Sequence, residues 1–227
     1  MIGDIVVTLT TWAIPVLLAV TMHEAAHGFA AARLGDDTAL RLGRVTLNPL
    51  RHIDPVGTLL LPGILILTGA RFLFGWAKPV PVNFGKLRPR RLGMVLVALA
   101  GPGTNLALAV VSALLIHLTT AMPPVFQDWL GQNLLNSIKI NLVLAVFNML
   151  PLPPLDGGRV AVGLLPRSLG RPLAKLEAFG FLIILGALFI LPMIGDRFGV
   201  DLNVFGRLVG QPVNYLARAI FSLTGHM

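Results

Sequence analysis

Apolar residues run along this chain in blocks of the length that crosses a membrane. Five stand out: Ile5 to about Ala32, Val56 to Ala70, Leu92 to Leu118, about Leu134 to Leu150, and Ala178 to Gly195. A sixth, about Leu202 to Leu223, contains Arg207, Pro212 and Arg218, so it either spans or lies in the interface. A helical span takes about 20 residues. Val56 to Ala70 is shorter and carries Pro62 and Gly63 in its middle, which suits a re-entrant or shallow element better. Between the blocks, Asp36 to Asn48 has Gly43 at a turn between short β-prone runs. Trp76 to Asn83 (WAKPVPVN) carries prolines that would confine it to a sheet edge. The pattern predicts an all-α integral membrane protein, a polytopic helix bundle of about five or six apolar segments with small β-strand elements at the membrane surface. Residues 1–227 are expected to form a single domain.

Composition agrees with the blocks. Of the 227 residues, 55% are hydrophobic and only 12% charged, with a mean hydropathy of +0.80, against roughly 25% charged residues in ordinary soluble domains. The net charge of +8 is spread over short loops beside apolar segments, which argues against nucleic acid as a partner and makes the charge a topology signal. Arg71, Lys78, Lys86, Arg88, Arg90 and Arg91 fall in one connection without an acid, whereas Thr119 to Gln132 holds Asp128 and no base. The first is expected to be cytoplasmic and the second outside. The connection with Arg159, Arg167, Arg171 and Lys175 is then cytoplasmic again. The Arg33 to Asp54 loop is also basic; if it too is cytoplasmic, Val56 to Ala70 does not cross. No cationic region or small-residue cleavage site accompanies the first block, so it is expected to be part of the working protein. With no cysteine in the chain, any metal must be held by His, Asp or Glu.

The first block runs into His23-Glu24-Ala25-Ala26-His27 after eighteen uncharged residues, Ile5 to Met22. On a helix, residues four apart lie about 40° apart around the axis and about 6 Å along it, so His23 and His27 share a face and can bind one metal. Glu24 projects about 100° from His23, close enough to meet a water at the metal without being a ligand. That arrangement suits zinc hydrolysis, with the ion lowering the pKa of a water toward about 7 and Glu24 accepting and delivering the proton. Left unpaired in a membrane, each of these groups would cost about 2 kcal/mol or more, which a bound cation explains. An interfacial location with the groups facing water is the alternative.

Two imidazoles leave a catalytic zinc site incomplete. The third candidate is Asp156, in Asn148 to Arg159 (NMLPLPPLDGGR), where Pro151, Pro153 and Pro154 interrupt the helix and Gly157 and Gly158 are expected to free the backbone. The plainer reading has Asp156 capping the next element. Beside the histidines, and on the same cytoplasmic side, the ligand reading is preferred.

HEAAH at the end of an apolar helix, followed by NMLPLPPLDGG, resembles the site-2 protease family of intramembrane zinc metalloproteases, in a compact form without PDZ or CBS domains. AGPGTNLALA (Ala100 to Ala109) and GWAKPVPVN lie between the motifs and carry the likeness over most of the chain. The resemblance implies one zinc ion held by His23, His27 and Asp156, with Glu24 as general base. It alone implies that Asn148 helps stabilise the oxyanion, an interhelical hydrogen bond being an equal alternative. It further implies a transmembrane protein or peptide as substrate and a place in the cell membrane of a prokaryote, with the active site toward the cytoplasm. KPVPV resembles the family's edge strand that holds substrate extended, with a plain loop as the alternative. Gly101, Gly103 and Asn105 are expected to serve close packing against the metal-bearing helix. Asp54 is expected to cap and His52 to be solvated or pocket-lining, while His117 and His226 have no partner in the sequence. A membrane metal transporter using the same His/Asp cluster is the competing function.

Overall fold

A computed structural model describes residues 2–67 and 75–226. In chain order, α1 (Ile2–Arg33) leads through the one-turn α2 (Thr38–Arg41) to a π-type turn, Pro55–Leu60, that continues as α3 (Leu61–Leu67). Then come α4 (Arg90–Thr119), α5 (Pro124–Asn148), α6 (Asp156–Leu164) and α7 (Arg167–Lys175). α8 (Glu177–Leu185) and α9 (Leu191–Phe198) form one continuous rod, and α10 (Gln211–Leu223) ends the fold. Among the described residues four helices are long and apolar enough to cross a membrane: Val6–Arg33, Arg90–Thr119, Phe126–Asn148 and Glu177–Phe198.

The distribution of side chains is that of a bundle solvated by lipid. α1 exposes Val6, Leu9, Leu18 and Phe29 and buries Thr11, Ala19 and Thr21; α4 exposes Leu96, Leu106, Val110 and Leu114 and buries Gly101, Asn105, Ala109 and Ser112. Small and polar residues inside let the backbones approach and find hydrogen-bond partners there. α1, α4 and α5 pack against one another in a triangle. Trp129 Nε1 donates to Thr10 Oγ1 (3.0 Å) and Asn136 Nδ2 to Thr11 O (2.9 Å), so α5 starts beside the N-terminal part of α1 and runs parallel to it. α4 runs antiparallel to both. The sixth apolar block docks on this triangle: Val209, Val213 and Ile220 share a core cluster with Ala109 and Ala113 of α4 and Ile138 and Leu142 of α5. The helical residues 55–67 rise about 20 Å, short of a hydrocarbon core about 30 Å thick. Residues 68–70, and with them the end of the second block, and Arg71 lie outside the described residues.

The expected surface strands do not form among the described residues. In 36–48 the Asp36 carboxylate accepts from Thr38 N (3.1 Å) and Thr38 Oγ1, which turns the chain into α2, and Gly43 makes the following turn at φ +62°. Residues 76–83 carry no regular secondary structure, and their main-chain partners are scattered. Trp76 N donates to Gly57 O, Lys78 N to His52 O, Val80 N to the Glu24 carboxylate and Asn83 N to Asp36. Pro79 and Pro81 remove donors from one edge of this stretch, and on the other edge the partners come from four separate segments, so no ladder forms. It is a strap fastened by loop carbonyls and two carboxylates.

One of those fastenings is the Asp36 carboxylate. Asp36 is buried at the end of α1; burial by itself raises its pKa, and bonds from Thr38 and Asn83 together with the Lys86 ammonium outweigh that and hold it below the usual range. Because the folded-state value is the lower one, its stabilisation is complete above the unfolded value near 4 and is lost as the pH falls through the folded one. Asp36→Ala is expected to cost about 2 kcal/mol at neutral pH. The gap in melting temperature between wild type and variant, followed in detergent from pH 7 to pH 3, should close at the acid end.

Candidate metal centre

His23 and His27 project from one face of α1, with their Nε2 atoms 3.1 Å apart. Asp156, the first residue of α6, brings its Oδ2 to 3.2 Å from His23 Nε2 and 3.3 Å from His27 Nε2. All three residues are buried. Two residues on α1 and a third 129 positions after His27 thus meet at one point.

The far side of each ring is fixed by α4. His27 Nδ1 lies 2.7 Å from Val97 O and His23 Nδ1 lies 2.5 Å from Asn105 Oδ1. A carbonyl oxygen only accepts, so both rings carry their proton on Nδ1 and turn an Nε2 lone pair toward the centre. Val97, Gly101 and Asn105 follow at intervals of four on α4, matching the interval of the histidines on antiparallel α1. Gly101 sits between the two anchors, directly beneath the rings. A Cβ there would lie 2.5 Å from His27 Nε2 and 2.7 Å from His23 Nε2. Gly103 has nothing within 4 Å of its Cβ direction, so of the two glycines it is Gly101 that makes the close approach.

Asp156 reaches the centre because α5 stops at Asn148 and 149–155 folds back as a proline-rich turn, with Leu152 N donating to Leu150 O and Leu155 N to Leu152 O. Gly157 and Gly158 are already helical, without positive φ. They serve close approach instead of backbone freedom, since a Cβ on either would overlap the main chain at Met149 and Pro153. The Asp156 side chain makes no cap bond, Leu155 being the N-cap residue.

These residues fit a divalent metal. Asp156 Oδ2 is buried and has no hydrogen-bond partner, while the two Nε2 lone pairs face it. Three acceptors converging in a buried site repel one another unless a cation lies between them. Two imidazoles and one carboxylate, with no thiolate, form the donor set of a catalytic zinc site that keeps a position open for substrate or water.

Glu24 points away from this trio far enough for its Oε2 to accept from Val80 N at 2.7 Å, tying it to the strap. Asn148 lies at the C-terminal end of α5, where its Nδ2 donates to Leu144 O of the same helix at 3.0 Å. Asp54 caps the turn that follows it, accepting from Val56 N and Gly57 N. His52, expected in solvent or a pocket, is buried: its Nε2 meets Thr46 O and its carbonyl takes Lys78 N, so it anchors the strap. His117 and His226 stack on each other with ring centroids 4.0 Å apart. Asn105, assigned from the sequence to packing, is a residue that orients the His23 ring. A lone amide in an apolar helix is the signal that marks it.

Residues 129–192 match peptidase family M50. The chain is 44% identical over 184 residues to YwhC of Bacillus subtilis, named as a candidate zinc metalloprotease, across 79% of this chain and 80% of that protein. It is 34% identical over 200 residues to Rip2 of Mycolicibacterium smegmatis, similarly named, across 87% of this chain and 71% of that protein. A third relative so named, MJ0611 of Methanocaldococcus jannaschii, is 41% identical over 95 residues, 42% of this chain and 45% of that protein. No solved structure matches the chain. A bundle of membrane-length apolar helices around a His/His/Asp centre defines a membrane metallopeptidase. The chain belongs to peptidase family M50, the site-2 protease family, and is a zinc metalloprotease. The metal-transport reading is not favoured by these relatives.

Proposed function

We propose that the protein is an intramembrane endopeptidase that hydrolyses a peptide bond within or beside a transmembrane segment of another protein, near the cytoplasmic face of a prokaryotic cell membrane. The convergence of His23, His27 and Asp156, each buried and each offering an unshared ligand atom, carries the reading. Those three residues would hold one zinc ion, which would supply Lewis acidity and make a nucleophilic water available near neutral pH. Glu24 has its Oε2 engaged by Val80 N–H, leaving Oε1 to take a proton from the attacking water and return it to the leaving amine. Asn148, at the mouth of the proline-rich turn, releases its amide from Leu144 O to donate to the developing oxyanion. The strap at 76–83 is where an unwound substrate lies, since Ala77 and Val82 keep main-chain groups available there. The basic residues Arg33, Arg90 and Arg91 fall at the same end of the bundle as the metal-ligand trio, which supports a site toward the cytoplasm.

Purified protein in liposomes is expected to cut a helical transmembrane peptide inside its apolar stretch. A zinc chelator should lower the rate at least 100-fold, and added zinc should restore it. Cleavage that survives removal of zinc, or that is confined to soluble peptides, would overturn the proposal.

A further inference from the structure

The two histidines are oriented by different kinds of acceptor. His27 Nδ1 donates to a main-chain carbonyl, Val97 O, which cannot reverse its polarity. His23 Nδ1 donates to Oδ1 of Asn105, a side-chain amide whose oxygen and nitrogen exchange places on a half-turn of the side chain. With Asn105 reversed, an NH2 would face Nδ1, the ring would carry its proton on Nε2, and Nε2 could no longer bind a metal.

What prevents the half-turn is a chain of donors that runs one way. Asn105 Nδ2 donates to Asn141 Oδ1 at 2.7 Å and, more weakly, to Ala19 O at 3.3 Å. Asn141 Nδ2 in turn donates to Ser137 O at 2.9 Å and Ser137 Oγ at 3.2 Å. The chain ends at Ser137 O, a main-chain acceptor of α5, so its direction is dictated from there back to His23. Asn105 and Asn141 are both fully buried, which leaves no water to stand in for a missing partner.

We propose that Asn141 is a positioning residue for the metal centre: by holding the amide of Asn105 it keeps the His23 proton on Nδ1 and the Nε2 lone pair toward the metal. The inference rests on zinc being held by His23, His27 and Asp156.

The test is a double-mutant cycle read as zinc affinity, by competition with a chromophoric chelator, beside the melting temperature of each metal-free protein. Asn141→Leu is expected to weaken zinc binding about 10-fold, the lower end of the range for a direct partner of a ligand histidine, since Asn141 acts through Asn105. In the Asn105→Asp background both outer oxygens accept, no reversal exists to be prevented, and the same substitution should cost less than about threefold. Asn141→Asp keeps an acceptor for Asn105 but loses the bond to Ser137; it should retain zinc better than Asn141→Leu even where it melts lower. An equal cost of Asn141→Leu in both backgrounds, or zinc loss that tracks melting temperature alone, overturns the inference. If wild type binds no zinc, or His23→Ala binds it equally well, the metal centre itself fails. If wild type binds zinc and Asn141→Leu matches it, only the positioning role fails.

Discussion

Glu24→Gln is expected to keep one zinc per chain and to lose cleavage by roughly 10²–10⁴-fold, the range a positioned general base contributes. The substitution is nearly isosteric, and the amide oxygen can still accept from Val80 N–H, so the bond that ties α1 to the strap survives. What disappears is the capacity to take a proton. His23→Ala or Asp156→Ala removes a ligand and is expected to lose zinc and cleavage together. The contrast separates a base from a ligand and is read by zinc content of the purified proteins beside cleavage of a transmembrane peptide. Full proteolysis by the Glu24 variant would remove Glu24 from the chemistry.

The parts of this site written in local spacing were legible from the sequence; those written across helices were not. HEAAH places two imidazoles on one face of any helix, so their partnership needs no tertiary information. Asp156 was reachable because prolines beside an ionisable group are costly in a membrane unless the segment lines a site. Helix ends were harder: α5 begins at Pro124, ten residues before the predicted Leu134, because Gln127, Asp128, Gln132 and Asn133 dilute the apolar signal. The structure spends such polarity inside the bundle, as in Asn136 donating to Thr11 O. The strap was read as an edge strand and is not one, because a strand also requires a neighbour in register. Its main-chain N–H groups bond to residues 24, 36, 52 and 57, a set no pattern within 76–83 could name. Asn105 and Asn141 announce by their polarity that they have partners, while which partners they have depends on how α1, α4 and α5 pack.

Gly101→Ala is expected to remove zinc as thoroughly as the loss of a ligand, and cleavage at least about 100-fold, the effect of misplacing a catalytic group by about 1 Å. An added methyl would lie 2.5 Å from His27 Nε2 and 2.6 Å from His23 Cε1, well inside van der Waals contact. A ring pressed in this way could ordinarily rotate, but both are held through Nδ1 to α4 itself, at Val97 O and at Asn105, on either side of the methyl. Relief therefore requires either breaking one of those bonds or moving α1 away from α4, and each displaces the Nε2 atoms from Asp156. Gly103→Ala is the matched control on the same helix: nothing lies within 4 Å of the added carbon, so it should keep both zinc and activity near wild type. Zinc content and melting temperature measured on the two variants decide the point, because a general intolerance of α4 to alanine would harm both. A Gly101→Ala protein that retains one zinc and full activity would mean that the rings do not stand where their Nδ1 partners hold them.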